Sequence, residues 1–199
     1  MPFTTNNTDV KDYSGYNNNG TISGALWQRY LNEDNNSLVL LMPFDSDNSS
    51  TAIDSSDYKN NGVLSGATLS SDCITGKCYS FDGINDFISI PGVQINDQFS
   101  FAVWVKINSG AVGEQTICSS VDSGAGGFFL FVNTWSNPPS SDKKLGLRIG
   151  DTWLTCTPAN TFSYDIWHHV AVTADKFTGL IEVYLDGEKR ISQYATMNT

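Results

Sequence analysis

F-S-F-A-V-W-V-K-I, residues Phe99 to Ile107, alternates without a break. Phe99, Phe101, Val103, Val105 and Ile107 share one parity, and Ser100, Ala102, Trp104 and Lys106 share the other. Successive side chains of a pleated strand point to opposite faces, so the run is a strand with its apolar face turned to a core. Two more runs lie downstream, W-H-H-V-A-V-T at Trp167 to Thr173 and L-I-E-V-Y-L at Leu180 to Leu185, with D-K-F-T-G between them as a hairpin loop. Gln115 to Ser119, Gly127 to Val132, Leu145 to Ile149 and Trp153 to Thr157 read as further short strands. Upstream, Tyr79 to Ile90 reads as a strand, a D-G turn and another strand. Short strands at this spacing predict an all-β, two-sheet antiparallel sandwich.

Composition agrees. Hydrophobic residues make up 40% of the 199, enough to bury a core, while charged residues make up only 16%. Polarity comes from Asn, Ser, Thr, Asp and Gly, the residues that tight turns need. No stretch keeps a helical apolar period for four turns. The net charge of −10 argues against nucleic acid and against an anionic membrane surface, since both need a Lys/Arg patch. No run of about 18 apolar residues is present to span a bilayer. The first residues, M-P-F-T-T-N-N-T, lack the basic and apolar parts of a signal peptide, so an export signal is expected outside this sequence.

The N-terminal region contains a repeat. Residues 1–25 and 42–67 align with one gap through M-P-F, an aspartate (Asp12, Asp54), Y-x-N-N-G and S-G-A. The first copy is too short for a module, so residues 1–36 are read as an extra first-strand segment and linker ahead of a domain at 37–199. The linker itself is polar, N-E-D-N-N at Asn32 to Asn36. Ser37 to Phe44, S-L-V-L-L-M-P-F, is predicted to be a buried strand.

Cys73, Cys78, Cys118 and Cys156 are an even set in a Thr/Ser/Asn-rich β chain, which predicts disulfides and an oxidising, extracellular or cell-surface location. C-x4-C lacks zinc spacing, and the adjacent pair His168-His169 would point to opposite faces of a strand. N-x-[ST] sequons at Asn6, Asn19, Asn35 and Asn48 are candidate glycosylation sites.

Four segments in order resemble the laminin-G-like jelly-roll domains of the concanavalin A-like lectin/glucanase superfamily, as in microbial and archaeal surface proteins. They are M-P-F-D…N-N-G (Met42 to Gly62), G-K-C-Y-S-F-D-G-I-N-D-F-I (Gly76 to Ile88), F-S-F-A-V-W-V (Phe99 to Val105) and W-H-H-V-A-V-T…V-Y-L-D-G (Trp167 to Gly187). The resemblance implies a jelly roll whose first and last strands are neighbours. The usual final strand motif is missing after Ile191, which implies an open sheet edge and self-association through it, with the segment 1–31 of another copy as one source of the closing strand. It implies structural Ca²⁺ near Asp45, Asp47, Asp54, Asp82 and Asp86, although turn capping accounts for these aspartates as well. It implies binding of carbohydrate or a surface protein, with Trp104, Trp135, Trp153 and Tyr184 as candidate contacts beside the plain alternative of packing. Related glucanases carry a tight carboxylate cluster on one strand. The nearest sequence, E-V-Y-L-D-G-E at Glu182 to Glu188, has another spacing and contains a turn, and Glu114 stands alone. The expectation is a non-catalytic recognition or adhesion module. The alternative is a subunit of an extracellular filament or surface layer joined by strand exchange.

Overall fold

A computed structural model describes residues 9–10, 20–21, 37–48, 50–93, 97–120, 127–134, 139, 141–150 and 152–195. Trp135, Asn6, Asn19 (sequon), Asn35 and nearly all of segment 1–31 lie outside the described residues. The chain forms two compact units, Met1–Val39 and Leu40–Thr199.

In the first unit, β1 (Asp9–Val10) pairs with β2 (Gly20–Thr21), Asp9 opposite Thr21 and Val10 opposite Gly20. In the second unit, β3 (Thr51–Ala52) pairs with β4 (Gly62–Ser65), Thr51 opposite Val63 and Ala52 opposite Gly62. All four positions differ by the same offset, so the sequence repeat is also a repeat of one small hairpin. Gly62 shows why the repeated N-N-G ends in glycine. A Cβ there would lie 2.5 Å from Ile88 Cγ2 and 3.3 Å from Met42 Cε. The hairpin continues into a three-stranded sheet through β7 (Phe87–Ser89), while β5 (Thr68–Ser70) pairs with β6 (Cys78–Ser80).

Two four-stranded antiparallel sheets carry the core. One has the order β12 (Thr152–Thr155), β11 (Leu145–Ile149), β10 (Phe128–Val132), β9 (Gln115–Ser119). The other has the order β15 (Glu188–Tyr194), β14 (Leu180–Leu185), β13 (His168–Asp175), β8 (Gln98–Val105). Their inner faces meet through Leu130, Val132, Leu145, Leu147, Phe162, Val170, Val172, Ile181 and Val183, all fully buried. Along β13 and β14 buried and partly buried residues alternate, as their sequence requires. Asp186 and Gly187 both take positive φ, 54° and 80°, the geometry of the tight two-residue hairpin that D-G favours. At the other end Asp175 Oδ1 accepts the N–H groups of Phe177 and Thr178, and Gly179 turns at φ 76°.

Two expectations are corrected. Ser37–Phe44 forms no ladder. The Leu41 N–H donates to Asp54 Oδ1 at 2.8 Å and its carbonyl accepts from Ser55, so its backbone is bound into the loop; Leu38 and Leu41 remain about half exposed. Cys118 and Cys156 are free thiols rather than a disulfide. Cys118 lies on β9 and Cys156 just beyond β12, at opposite edges of one sheet, so two strands separate them. That separation is about 14 Å at normal strand spacing, twice what a disulfide spans. Burial drives both thiols up, Cys118 to about 11 and Cys156 to about 12. Cys73 and Cys78, with Cα atoms 5.7 Å apart, form the disulfide.

Candidate functional site

The outward face of the β8–β13–β14–β15 sheet carries a built arrangement of polar and aromatic groups. The register fixes its rows. Trp104 stands opposite His169, and their rings lie 5.1 Å apart. In the next row Ala102 faces Ala171, Ala171 faces Tyr184, and Tyr184 faces Lys189. Then Ser100 faces Thr173, Thr173 faces Glu182, and Glu182 faces Ser192. The two alanines leave a low area of the face, the trough, bordered by Trp104 one row along β8 and by Tyr184 one strand across on β14. The backbone positions of Trp104 and Tyr184 are two strands and two residues apart, about 12 Å. Half of Trp104 is exposed, an unusual cost for the largest aromatic unless the surface has a use.

Glu182 is the polar hub. Its Oε2 accepts the Tyr184 hydroxyl at 3.0 Å, and its Oε1 accepts Lys189 Nζ at 3.0 Å and the Ser192 hydroxyl at 3.3 Å. The bonds from Lys189 and Tyr184 hold the Glu182 carboxyl below its usual range. The same carboxylate raises Tyr184 and Lys189. At neutral pH the trough thus presents an ionised carboxylate, an ammonium and a phenol in one fixed network. Such a set orients hydroxyl groups. A glycosidase acid needs the opposite shift, a carboxyl held up so that it keeps its proton.

Trp153 belongs elsewhere. It lies on the outer face of the other sheet against Phe129 and Phe131, with the Arg148 guanidinium 5.2 Å from its ring. Gly146 permits this, since a Cβ there would run into the Phe131 ring. The four aromatic candidates thus separate into Trp104 with Tyr184 on one face, Trp153 on the other, and Trp135 beyond the described residues.

The aspartates act on the backbone. Asp54, fully buried, accepts the N–H groups of Leu41, Ser56 and Asn60 and the Ser56 hydroxyl. Burial pushes its carboxyl up, but the bonds from Ser56, Leu41 and Asn60 outweigh that and hold it below the usual range. Asp82 Oδ1 accepts Ile84 and Asn85, and Asp86 Oδ2 accepts Asp82 N–H, closing the F-D-G-I-N-D turn. Asp45 accepts Lys77 N–H, and Asp47 Oδ1 accepts Ile53 N–H, while its buried Oδ2 and the buried Tyr79 hydroxyl have no hydrogen-bond partner. Calcium needs six to eight converging oxygens. Among the described residues no three metal-ligating side chains gather, and as placed these five serve N–H donors, so they do not fit a calcium site. Asn48 Oδ1 likewise holds its own turn by accepting the N–H groups of Ser50 and Thr51.

One pair had no signal beyond its motif. Buried His168 reaches Asp186 through Nδ1 at 2.7 Å, and Nε2 meets the Ser163 backbone. Asp186 also accepts the His169 N–H. The W-H-H and Y-L-D-G motifs are thus two ends of one contact that locks the β14–β15 turn onto the start of β13. The histidine ends on a peptide group rather than a hydroxyl, so the pair positions strands and activates no nucleophile.

Residues 82–198 match the model of a family described as the concanavalin A-like lectin/glucanases superfamily. Among solved structures, residues 221–444 of an S-layer domain-containing protein from Clostridium thermocellum are 24% identical at a TM-score of 0.44, over 80% of this chain and 73% of that one. A carbohydrate binding module from Bacillus subtilis, CBM66, is 17% identical at a TM-score of 0.41, over 68% of this chain and 80% of that one. No curated protein matches.

Proposed function

Because the chain belongs to the concanavalin A-like lectin/glucanases superfamily, we propose that it is a non-catalytic, extracellular recognition module that binds a neutral glycan along the outer trough of the β8–β13–β14–β15 sheet. The observation that carries this reading is the placing of Trp104 and Tyr184 at two borders of the small pair Ala102 and Ala171, with Glu182, Lys189 and Ser192 hydrogen-bonded beside them. Sugar rings present apolar C–H faces and equatorial hydroxyls. Aromatic rings meet the first and a fixed donor–acceptor network meets the second. Two platforms about 12 Å apart suit a chain of sugars rather than a single residue. The net charge of −10 disfavours an anionic polysaccharide. The Cys73–Cys78 disulfide supports an oxidising location. The direct test is a neutral-glycan array probed with the wild-type chain and with Trp104→Ala. Binding to a defined set of oligosaccharides that drops about tenfold or more in the variant, roughly 1.4 kcal/mol, is the expected result. Equal binding by both proteins refutes the site.

A further inference from the structure

The loops at one end of the two large sheets surround a cavity of about 440 Å³, within the range of small-molecule sites. Its lining includes Ser109 and Val112 from the β8–β9 loop, Lys143 from the β10–β11 loop, and Asn160, Tyr164 and Asp165 from the β12–β13 loop. None of the six lies on a strand, so the cavity shares no residue with the trough.

One buried side chain ties these three loops together. Asn133 is fully buried, and its Oδ1 accepts the Lys143 N–H at 2.9 Å and the Tyr164 hydroxyl at 2.8 Å. Its Nδ2 donates to the Gly113 carbonyl at 2.8 Å, so the amide reaches all three loops. Asp165 adds a second tie. Its Oδ1 accepts the Ser109 N–H at 2.9 Å, and its own N–H donates to the Ile107 carbonyl at 2.8 Å. The backbone here is costly. Asn133, Lys143, Asn160 and Asp165 take positive φ of 67°, 54°, 62° and 62°. Asn and Asp tolerate that region, whereas a lysine has no local reason to enter it. Such residues persist where their surroundings hold them, and they cluster at ligand clamps.

The charge at the cavity is also distinctive. Lys106, Lys144, Lys176, Lys189 and Arg190 each pair with a carboxylate. Lys143 instead holds its Nζ 4.6 Å from the centre of the Tyr164 ring. A ring face attracts an ammonium without cancelling its charge. Asn133 fixes that ring through its hydroxyl, so the ammonium is placed before any ligand arrives and less freedom is lost on binding.

We infer that this cavity is a second binding site, separate from the trough, for a small carboxylate that also carries hydroxyl groups, with Lys143 as the partner of the carboxylate. Charge-assisted hydrogen bonds are about twice as strong as neutral ones, which makes the ammonium the dominant contact. Asp165 repels the anion from its own side of the cavity and, with the Asn160 amide and the Ser109 hydroxyl, offers hydrogen bonds to hydroxyl groups. Val112 supplies an apolar contact. The net charge of −10 disfavours a long polyanion, but its field is screened within about 8 Å at physiological salt, so the lysine beside it governs a single carboxylate.

Amide NMR titration of the full chain with sodium glucuronate, glucose and sodium acetate tests the site. Glucose has the hydroxylated ring without the carboxylate, and acetate has the carboxylate without the ring. For glucuronate the expected dissociation constant is about 1 mM, with shifts centred on Lys143, Asn160, Tyr164 and Asp165. Glucose and acetate should each bind at least about tenfold more weakly. Lys143→Met keeps the stem over the ring and removes the charge, and it should weaken glucuronate about tenfold or more. Lys143→Arg should retain binding, and Trp104→Ala, on the trough, should leave it unchanged. If Lys143→Met does not fold, the glucose and acetate titrations of the wild type decide alone. No glucuronate binding up to about 10 mM, glucose or acetate binding as well as glucuronate, shifts centred on the trough, or indifference to Lys143→Met overturns the proposal, whatever the glycan array shows.

Discussion

Replacing Asp54 with alanine withdraws the acceptor on which the Leu41–Asn61 loop closes. Three backbone N–H groups, those of Leu41, Ser56 and Asn60, and the Ser56 hydroxyl lose their partner together, at distances of 2.6–2.8 Å in the intact loop. Hydrogen bonds to a charged group are each worth about 1.5–3 kcal/mol. The loop's outer residues, including Ser55 and Asp57, are exposed, so water can replace part of what is lost. The expected cost is about 3–5 kcal/mol, a large fraction of a typical domain's stability. For a chain of this length that is a fall in melting temperature of about 6–20 °C. The pH dependence follows from the depressed carboxyl. Its folded value lies below that of an ordinary aspartate, so its stabilisation is present above the ordinary value and disappears as pH falls through the folded value. Urea unfolding at neutral pH and in steps down to about pH 2 measures both effects, with Asp54→Asn as the uncharged comparison. The gap between wild type and Asp54→Asn should narrow in the acid range. A loss under about 1 kcal/mol for Asp54→Ala, or a gap indifferent to pH, refutes the clamp.

Other expectations follow from the same geometry. His168→Ala should cost about 2–4 kcal/mol by leaving Asp186 without its buried partner, read from urea unfolding. Cys156 should resist thiol reagents until the chain unfolds, since it is buried and its thiol is held near 12; fast labelling of the native protein would contradict the free-thiol core. Reducing Cys73–Cys78 should lower stability by about 2 kcal/mol, the chain-entropy figure for so short a loop, and leave the two large sheets intact by circular dichroism. Calcium added to chelator-treated protein should leave the melting temperature unchanged, because no three metal-ligating side chains gather among the described residues; a clear rise would show that the loops gather oxygens when the ion arrives.

The large sheets were legible because their signal is local. Phe99 to Ile107, Trp167 to Thr173 and Leu180 to Leu185 each state their buried parity residue by residue, and the strands form where that parity requires. Parity also put Trp104 and Tyr184 on an outer face. What it could not supply was register, and only the register sets Ala102 and Ala171 beside them. Trp153 shows the limit of residue type alone, since its position on the other sheet depends on which strands are neighbours. Ser37–Phe44 misled because an apolar run implies burial only where a ladder partner exists, and its backbone is instead tied to Asp54 and Ser55. Cys118 and Cys156 misled for the same reason: an even count says nothing of distance across a sheet.

Amide chemical-shift mapping with a neutral oligosaccharide that the chain binds tests the central claim most directly. Perturbations centred on Ala102, Trp104, His169, Ala171, Glu182 and Tyr184 are the predicted result. Perturbations centred on Phe129, Arg148 and Trp153 would place the ligand on the opposite sheet and contradict the account.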